Sequence, residues 1–319
     1  MAAKEEIISS KKEDEKELTT EEKFEKYREA GKIRAGIKDK ILPFIIPGAK
    51  ILDICEKAEE MVKEARGSHA FPCNVSINNI AAHYTATADD ETIIQEEDLV
   101  KIDIGVHIDG FIADAAFTVC LNPEHEPLVN AAEEALNAAE EALKPGAKTN
   151  EIGEIVERTI KKYGYRPIRD LTGHTLERYE IHGSKHIPNI KTPIGHTVQE
   201  GEAYGLDIFV TTGSGKSHED KTKCYIYTLL PMRVPLRFKS SKALRGYINK
   251  NHKTLPFCER WLLKEFPAST VKIGMRELIS KGALYKYHIL VENKGVLVSQ
   301  AEDTIIITKD GAEITTREL

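Results

Sequence analysis

The sequence predicts an α+β fold in which pairs of amphipathic helices alternate with strands that form hairpins. Two observations favour this class: apolar residues recur every three to four positions in four segments before residue 165, and runs of strand-like alternation follow each helix pair. Because the strands include hairpins rather than only crossovers, we do not expect a doubly wound sheet. The 319 residues suffice for one large domain, or for one that carries a smaller domain.

The predicted helices have recognisable ends. Residues 1–18 are rich in Lys and Glu and predict a solvated tail. Thr19 and Glu22 form a capping-box pattern, which opens a helix that ends near Leu42, before Pro43. The same spacing and the same end signals predict three further helices, one after Pro47-Gly48 and two over about 127–144 and 150–163.

The composition changes between about residues 231 and 290. Seven cations occur there with no Asp or Glu between them, namely Arg233, Arg237, Lys239, Lys242, Arg245, Lys250 and Lys253. Helix-like segments follow, and strand patterning resumes at 294–308. We therefore expect 231–290 to be a small helical insertion in a main domain formed by 19–230 and 291–319. The basic stretch 233–253 is either a solvated helix face or a surface for ribosome or RNA contact.

Composition and charge exclude several classes of protein. Lys and Arg total 45 against 51 Asp and Glu, a net charge of −6, so bulk charge does not predict a nucleic-acid-binding protein. No apolar run approaches the ~20 residues of a membrane helix, and the charged opening lacks the apolar stretch of a signal peptide. The five cysteines form no CxxC pair, which argues against a disulfide framework. We therefore expect a cytoplasmic globular protein.

The most informative segment is a predicted hairpin with the sequence KIDIGVHIDGFIADAAFTVC, residues 101–120. Asp109-Gly110 is a two-residue turn signal between alternating apolar residues. Closing this turn places Asp103 and Asp114 on one face as diagonal neighbours, roughly 7–8 Å apart. Two carboxylates at that range repel each other unless cations lie between them, and two divalent metals about 3.5–4 Å apart would fit. For an isolated pair, two surface acids on a half-exposed hairpin would be the simpler interpretation.

Additional donors favour a metal site. His174 and His182 are eight residues apart, a spacing compatible with one side of a strand. Glu202, Asp207 and Glu302 lie inside or beside apolar strand-like runs, where an unpaired acid is costly. Oxygen ligands with one imidazole favour a harder ion such as Mn, Fe(II) or Co, and zinc stays open. The residues alone therefore predict a two-metal hydrolase that acts on a neutral or cationic substrate.

Taken together, these segments resemble the pita-bread metallopeptidases, most closely the type 2 methionine aminopeptidases. They occur in the family's order over about residues 20–308, as FPCNVSINNIAAHYT, KIDIGVHIDGFIADAAFT, GHTLERYEIHGSKHIPNI, EGEAYGLDIFVTTGSGK, TLPFCERWL and GVLVSQAEDT. The resemblance implies a pita-bread (creatinase/aminopeptidase) fold with a winged-helix-like insertion. It also implies a monomer that removes the initiator methionine from nascent proteins with a small second residue, by means of a hydroxide activated by two divalent metals.

The resemblance further implies roles for individual residues. Five positions match the family's metal ligands, namely Asp103, Asp114, His174, Asp207 and Glu302. Four positions match its substrate pocket: His83 and His182 as the histidines that contact substrate and assist proton transfer, and Phe71 and Ile181 as the wall around the methionine side chain. That pocket would suit a soft, unbranched thioether.

Two departures from the family pattern leave an alternative open. The fourth ligand is usually Glu and is Asp207 here, about 1.5 Å shorter in reach. The last ligand lies in an Ala301-Glu302-Asp303 context, where the family usually has Phe-Glu-His. Non-catalytic relatives of the same fold, the proliferation-associated proteins, bind ribosomes, RNA or proteins, and the GLDIFVTTGSGK run is similar to theirs. Because the other ligand and histidine positions are intact, we favour an active enzyme. A proline-specific enzyme of this fold is less expected, since few residues precede Asp103.

Overall fold

A computed structural model describes residues 18–317, and it confirms the predicted α+β class. The predicted tail over 1–18 lies outside the described residues apart from Leu18. The α-helices are α1 Thr20–Ile41, α2 Ile51–Glu64, α3 Glu126–Ala142, α4 Thr149–Lys162, α5 Lys239–Asn251, α6 Glu259–Leu263 and α7 Ala268–Ser280. No helix in this part of the chain is long and apolar enough to cross a membrane.

The strands of the described chain form three sheets. The first contains β1 Ser68–His69, β2 Asn74–Ile77, β4 Leu99–Ile108 and β5 Phe111–Cys120. The second contains β3 Ile80–Ala82, β10 His218–Leu229, β11 Phe257–Cys258 and β12 Leu284–Val291. The third contains β6 Arg166–Pro167, β7 Thr172–Thr175, β8 His186–Pro188, β9 Ala203–Thr211, β13 Val298–Thr308 and β14 Gly311–Ile314.

Helix α1 begins at the predicted capping box. The Thr19 side chain accepts a hydrogen bond from the backbone N–H of Glu22, and the Glu22 carboxylate accepts one from the backbone N–H of Thr19 at 2.7 Å. These reciprocal bonds satisfy donors that a helix start would otherwise leave unpaired. The helix ends at Ile41, just before a proline that cannot continue it.

The β4–β5 hairpin has the register that its turn predicts. Asp109 and Gly110 have φ values of +52° and +92°, as a tight two-residue hairpin turn requires. Gly105 pairs with Asp114, so Asp103 and Asp114 are diagonal neighbours on one face. Helices α1 and α2 cover the opposite, apolar face, whereas β13 packs near the face that carries the acids. Both faces are therefore buried, and the half-exposed alternative is wrong.

The third sheet brings the second half of the chain to the same place. Strands β9 and β13 are antiparallel neighbours, and Asp207 lies directly opposite Glu302. Helices α3 and α4 cover the far side of this sheet through a continuous apolar cluster. Thr304 of β13 ties the two sheets together, because its hydroxyl accepts from the backbone N–H of Asp114 at 2.7 Å.

The predicted insertion contains three helices and additional strands. Helices α5, α6 and α7 enclose their own apolar cluster around Leu244, Trp261 and Leu278. Strand β12 was not predicted from the sequence, since exposed Lys and Tyr side chains interrupt its alternation. It pairs with both β10 and β3, so part of the segment belongs to the second sheet. The division into a main domain and an insertion stays a prediction.

Candidate metal centre

Three predicted ligands converge between the first and third sheets. Asp114, His174 and Glu302 each offer one ligand atom, and these atoms lie within 4.8 Å of one another. The Nε2 atom of His174 lies 3.9 Å from Oδ2 of Asp114. Asp103 and Asp207 line the same cavity without joining this tight group. The structure thus brings all five predicted ligands to one cavity, three of them at ligand spacing.

A glycine makes this convergence sterically feasible. Gly205 on β9 lies opposite His174 of β7. A Cβ atom at position 205 would approach Glu302 Oε1 to 2.9 Å and His174 Cε1 to 3.2 Å. Any larger residue would therefore push two ligand side chains apart.

Burial and mutual repulsion dominate the electrostatics of the acids. Burial raises the pKa of Asp103 to about 7. Burial, followed by the charges of the neighbouring acids, raises the pKa values of Asp114, Asp207 and Glu302 well above the usual range. Acids in this arrangement are stable in their ionised form only when cations balance them.

The polar atoms of the cavity fit divalent metals. Among the predicted ligands, four buried side-chain atoms have no hydrogen-bond partner within residues 18–317: Asp103 Oδ1, Asp114 Oδ1, His174 Nδ1 and Glu302 Oε1. Buried polar atoms are rarely left unpaired, so such a group indicates a missing ligand. The donors are mainly oxygens with an imidazole, which suits a hard or borderline divalent ion. Asp207 differs, because its Oδ1 accepts a hydrogen bond from Gln300 at 3.0 Å, leaving Oδ2 for an ion.

The two predicted catalytic histidines also reach the cavity. The His83 ring nitrogen Nδ1 lies 3.1 Å from the backbone oxygen of His288. A carbonyl oxygen only accepts hydrogen bonds, so Nδ1 carries the proton and Nε2 is the acceptor. Desolvation lowers the pKa of the half-buried His83, and desolvation with the charges of the neighbouring histidines lowers the pKa of His182, which is an exposed residue at the cavity. Both imidazoles are therefore neutral near pH 7.

His174 and His182 do not share one strand, contrary to the prediction from their spacing. His174 lies on β7, whereas His182 follows a turn closed by a bridge between Glu177 and Glu180. The ring centres are nevertheless 4.5 Å apart. The turn, rather than strand periodicity, returns His182 to the cavity.

The predicted methionine wall lies beside the acids. Phe71 and Ile181 are both buried and line the cavity. Gly105 makes room for the aromatic ring, since a Cβ there would lie 2.1 Å from Cε1 of Phe71. Glu202, the remaining candidate acid, is engaged elsewhere, because it pairs with Lys185 and accepts from the Tyr204 hydroxyl.

Gln300 and Tyr287 are cavity residues that were not identified from the sequence. Gln300 binds Asp207, and its position two residues before Glu302 on β13 places both on one strand face. That spacing was an available signal. Tyr287 lies between the two histidines, with ring centres 5.4 Å from His83 and 5.7 Å from His182. It comes from β12, the strand that the sequence pattern did not indicate.

Comparison with known proteins gives the family. The model of metallopeptidase family M24 matches residues 25–220, more than half of the chain. This chain belongs to the M24 metallopeptidases. The match includes both hairpin acids and the three histidines that line the cavity, and M24 membership implies divalent metal ions at a centre of this kind.

Two archaeal relatives match this M24 protein over nearly their whole length. A methionine aminopeptidase of Thermococcus onnurineus is 43% identical, covering 90% of this chain and 97% of its own length. One of Pyrococcus horikoshii is 40% identical, covering 92% of this chain and 99% of its own.

Solved structures show the same pita-bread fold. A thermophilic Arx1 aligns over 92% of this chain and 90% of its own, with a TM-score of 0.81 and 22% identity. A methionine aminopeptidase of Thermotoga maritima aligns over 92% of this chain and 96% of its own, with a TM-score of 0.67 and 22% identity. The predicted fold class is confirmed.

Proposed function

We propose that this chain is a metallo-aminopeptidase that removes the N-terminal methionine from nascent proteins with a small second residue. The observation that carries the proposal is the convergence of Asp114, His174 and Glu302, with their unpaired buried atoms, in an M24 protein. Support for the substrate comes from relatives that are 40–43% identical and are named methionine aminopeptidases.

Five residues would hold two divalent metal ions, namely Asp103, Asp114, His174, Asp207 and Glu302. Mn, Fe(II) and Co suit this donor set, and Zn is a further candidate. When bound, the ions supply an activated water and polarise the scissile carbonyl. The protein supplies the shape, because Gly205 leaves room for the ligands and Gln300 orients Asp207.

The cavity walls would select and orient the substrate. Phe71 and Ile181 offer an apolar surface for the flexible thioether of methionine. The substrate's amino group would lie at the polar side of the cavity, which the proposed ligands line. Together these contacts would hold the first peptide bond beside the metal ligands.

The histidines would manage hydrogen bonds and protons. His83 is oriented by its bond to the backbone of His288, so its Nε2 can accept from the substrate. His182, held neutral by desolvation in the cavity and by the neighbouring histidines, can donate to the scissile carbonyl and assist proton transfer to the departing amine. Tyr287 packs against both rings and restricts their orientation.

Peptide hydrolysis tests the proposal directly. We expect methionine release from Met-Ala-Ser when purified protein is titrated with Mn or Co, and loss of release on chelation. Release from Leu-Ala-Ser and Met-Trp-Ser should be much lower, since the first does not match the pocket and the second has a large second residue. Asp114→Asn should abolish metal uptake and release, whereas Asp39→Asn, an exposed acid on α1, should alter neither.

A negative result in the peptide assay would favour a different function. No release at any metal concentration, together with no tightly bound metal, would favour the non-catalytic alternative, a protein that binds ribosomes, RNA or other proteins. The exposed cations around α5 are the observation that would then carry the function.

The cellular setting is part of the same proposal. An enzyme that acts on nascent chains would work in the cytoplasm near the ribosome. The basic stretch 233–253 provides a surface for such contact, with Lys242 and Lys250 exposed on α5. A monomer with 231–290 as an insertion subdomain is the simplest organisation.

A further inference from the structure

Arg34 on α1 is a buried cation without a direct partner. Its side chain is 2% exposed, and its Nε and Nη2 atoms have no hydrogen-bond partner in the described chain. The guanidinium carbon lies 5.6 Å from the centre of the Phe117 ring, a cation–π contact. A guanidinium remains charged in proteins, so an unpaired one at this depth requires an explanation.

The metal-centre acids lie next to it. Arg34 and Glu302 line one cavity of about 300 Å³, and Glu302 also lines the metal-centre cavity. Burial lowers the pKa of Arg34, and attraction from Asp303, Asp103, Glu302 and Asp114 opposes that effect. In return, the charge of Arg34 offsets part of the rise in the pKa values of the three predicted ligands among them. The guanidinium thus interacts through space with the carboxylates that would hold metal.

Asp303 attracts Arg34 most strongly, but in the described chain it forms no hydrogen bond with Arg34 and is held by two other groups. Its Oδ1 accepts from the Thr316 hydroxyl at 2.6 Å, and its Oδ2 accepts from Nε of Arg317 at 2.7 Å. Both oxygens are therefore already engaged. Asp303 therefore offsets part of the charge of Arg34 through space, and the acids of the metal centre offset a further part.

The balance of charges at the centre indicates how Arg34 would affect the binding of metal ions. Four predicted carboxylate ligands carry four negative charges when ionised, and two divalent ions would balance them completely. Without metal, Arg34 supplies part of the missing positive charge. With metal, it is a like charge close to the ions and repels them.

We propose that Arg34 is a positioning residue that replaces part of the metal charge in the metal-free protein and thereby weakens divalent-metal binding at the centre. The inference rests on the proposed metal centre. It goes beyond the proposed function because it concerns how tightly ions are held, and not which peptide is cleaved. The physical consequence is a centre that exchanges its ions more readily.

Metal affinity tests this role without an activity assay. Mn²⁺ binding is measured by calorimetry at pH 8 for wild type, Arg34→Met, Arg34→Gln and Arg34→Lys, with Lys40→Met as an exposed control on the same helix. We expect the Met and Gln variants to bind Mn²⁺ about tenfold more tightly or better, which corresponds to about 1.4 kcal/mol. The Lys variant retains the charge and should stay within about threefold of wild type, as should the control.

Each possible result of these Mn²⁺ titrations either supports or contradicts the inference. Unchanged or weaker Mn²⁺ binding in both neutral variants would overturn the inference. Equally tightened Mn²⁺ binding in the Lys variant would also overturn it, because the shape of the side chain and not its charge would then set the affinity. The neutral variants could unfold in the absence of metal. If they then refold at Mn²⁺ concentrations below those that saturate wild type, the result supports the inference about Arg34. If they do not refold, the result overturns it. A wild type that takes up no metal would overturn the proposed centre itself, and with it this inference.

Discussion

At the scale of single residues, Asp207 distinguishes this centre from the family pattern. The shorter acid accepts a hydrogen bond from Gln300 through one oxygen, so the other oxygen is left for an ion. Asp207→Glu should restore the reach of the usual ligand and raise turnover of Met-Ala-Ser. Activity measured at saturating Mn²⁺ checks this, with Asp39→Glu as an exposed control. No gain would show that the site is adapted to the shorter acid.

His182 permits a second test at the residue scale. His182→Ala should lower kcat by about 10²–10⁴-fold, the usual contribution of a positioned acid or base. Metal affinity should be retained, because His182 is not among the five proposed ligands. His186→Ala, an exposed imidazole on neighbouring β8, is the matched control and should keep kcat. Loss of metal uptake in His182→Ala would mean that the roles of the histidines have been assigned wrongly.

At the scale of elements, local signals and long-range packing differ in what they reveal. The β4–β5 register follows from one two-residue turn, because a closed turn sets every pair along both strands. The position of His182 follows from a turn that brings the chain back after β7, which no periodicity indicates. Strand β12 was missed for a related reason, since it gains stability from pairing with β10 and β3 rather than from a buried alternating face.

The prediction at the scale of elements concerns the cations of helix α5. Replacing Lys242, Arg245 and Lys250 by Glu should weaken co-sedimentation with ribosomes, since contact with phosphates depends on positive charge. Replacing Lys144, Arg158 and Lys162, an equally composed exposed set around α3 and α4, should leave it unchanged. Equal sedimentation of both triple variants would make the basic stretch an ordinary solvated helix face.

At the scale of the whole molecule, three histidines, one buried and two half-buried, make stability depend on pH. Burial lowers the pKa values of His69, His107 and His252 to about 4 each. The unfolded chain takes up these protons near pH 6.5, before the folded one does. Stability should therefore be lost progressively as the pH falls from about 6.5 towards 4.

One variant isolates this effect from the titration of the buried acids. His252 stacks between Phe257 and Trp261, with ring centres 5.9 and 5.3 Å away. His252→Phe should keep the stacking and reduce the fall in the urea midpoint between pH 7 and pH 5. His218→Gln, an exposed histidine on β10, should leave that fall unchanged. An unaltered pH dependence in His252→Phe would contradict the assignment.

The sequence alone determined the features that depend on neighbouring residues. The capping box of α1, the hairpin register and the shared face of Asp103 and Asp114 all follow from contacts a few residues apart. The resemblance to a known family added candidate ligands from distant segments, and the structure brings those candidates to one cavity.

Only the tertiary structure revealed the burial of, and the contacts between, residues from distant segments. It showed that both faces of the hairpin are buried, that Gln300 holds Asp207, and that Arg34 shares a cavity with Glu302 while two of its nitrogens lack a hydrogen bond in the described chain. These features depend on desolvation and on the charges of groups from separate elements. A sequence pattern encodes periodicity along one element, whereas burial and unbalanced charge arise only when the sheets and α1 pack together.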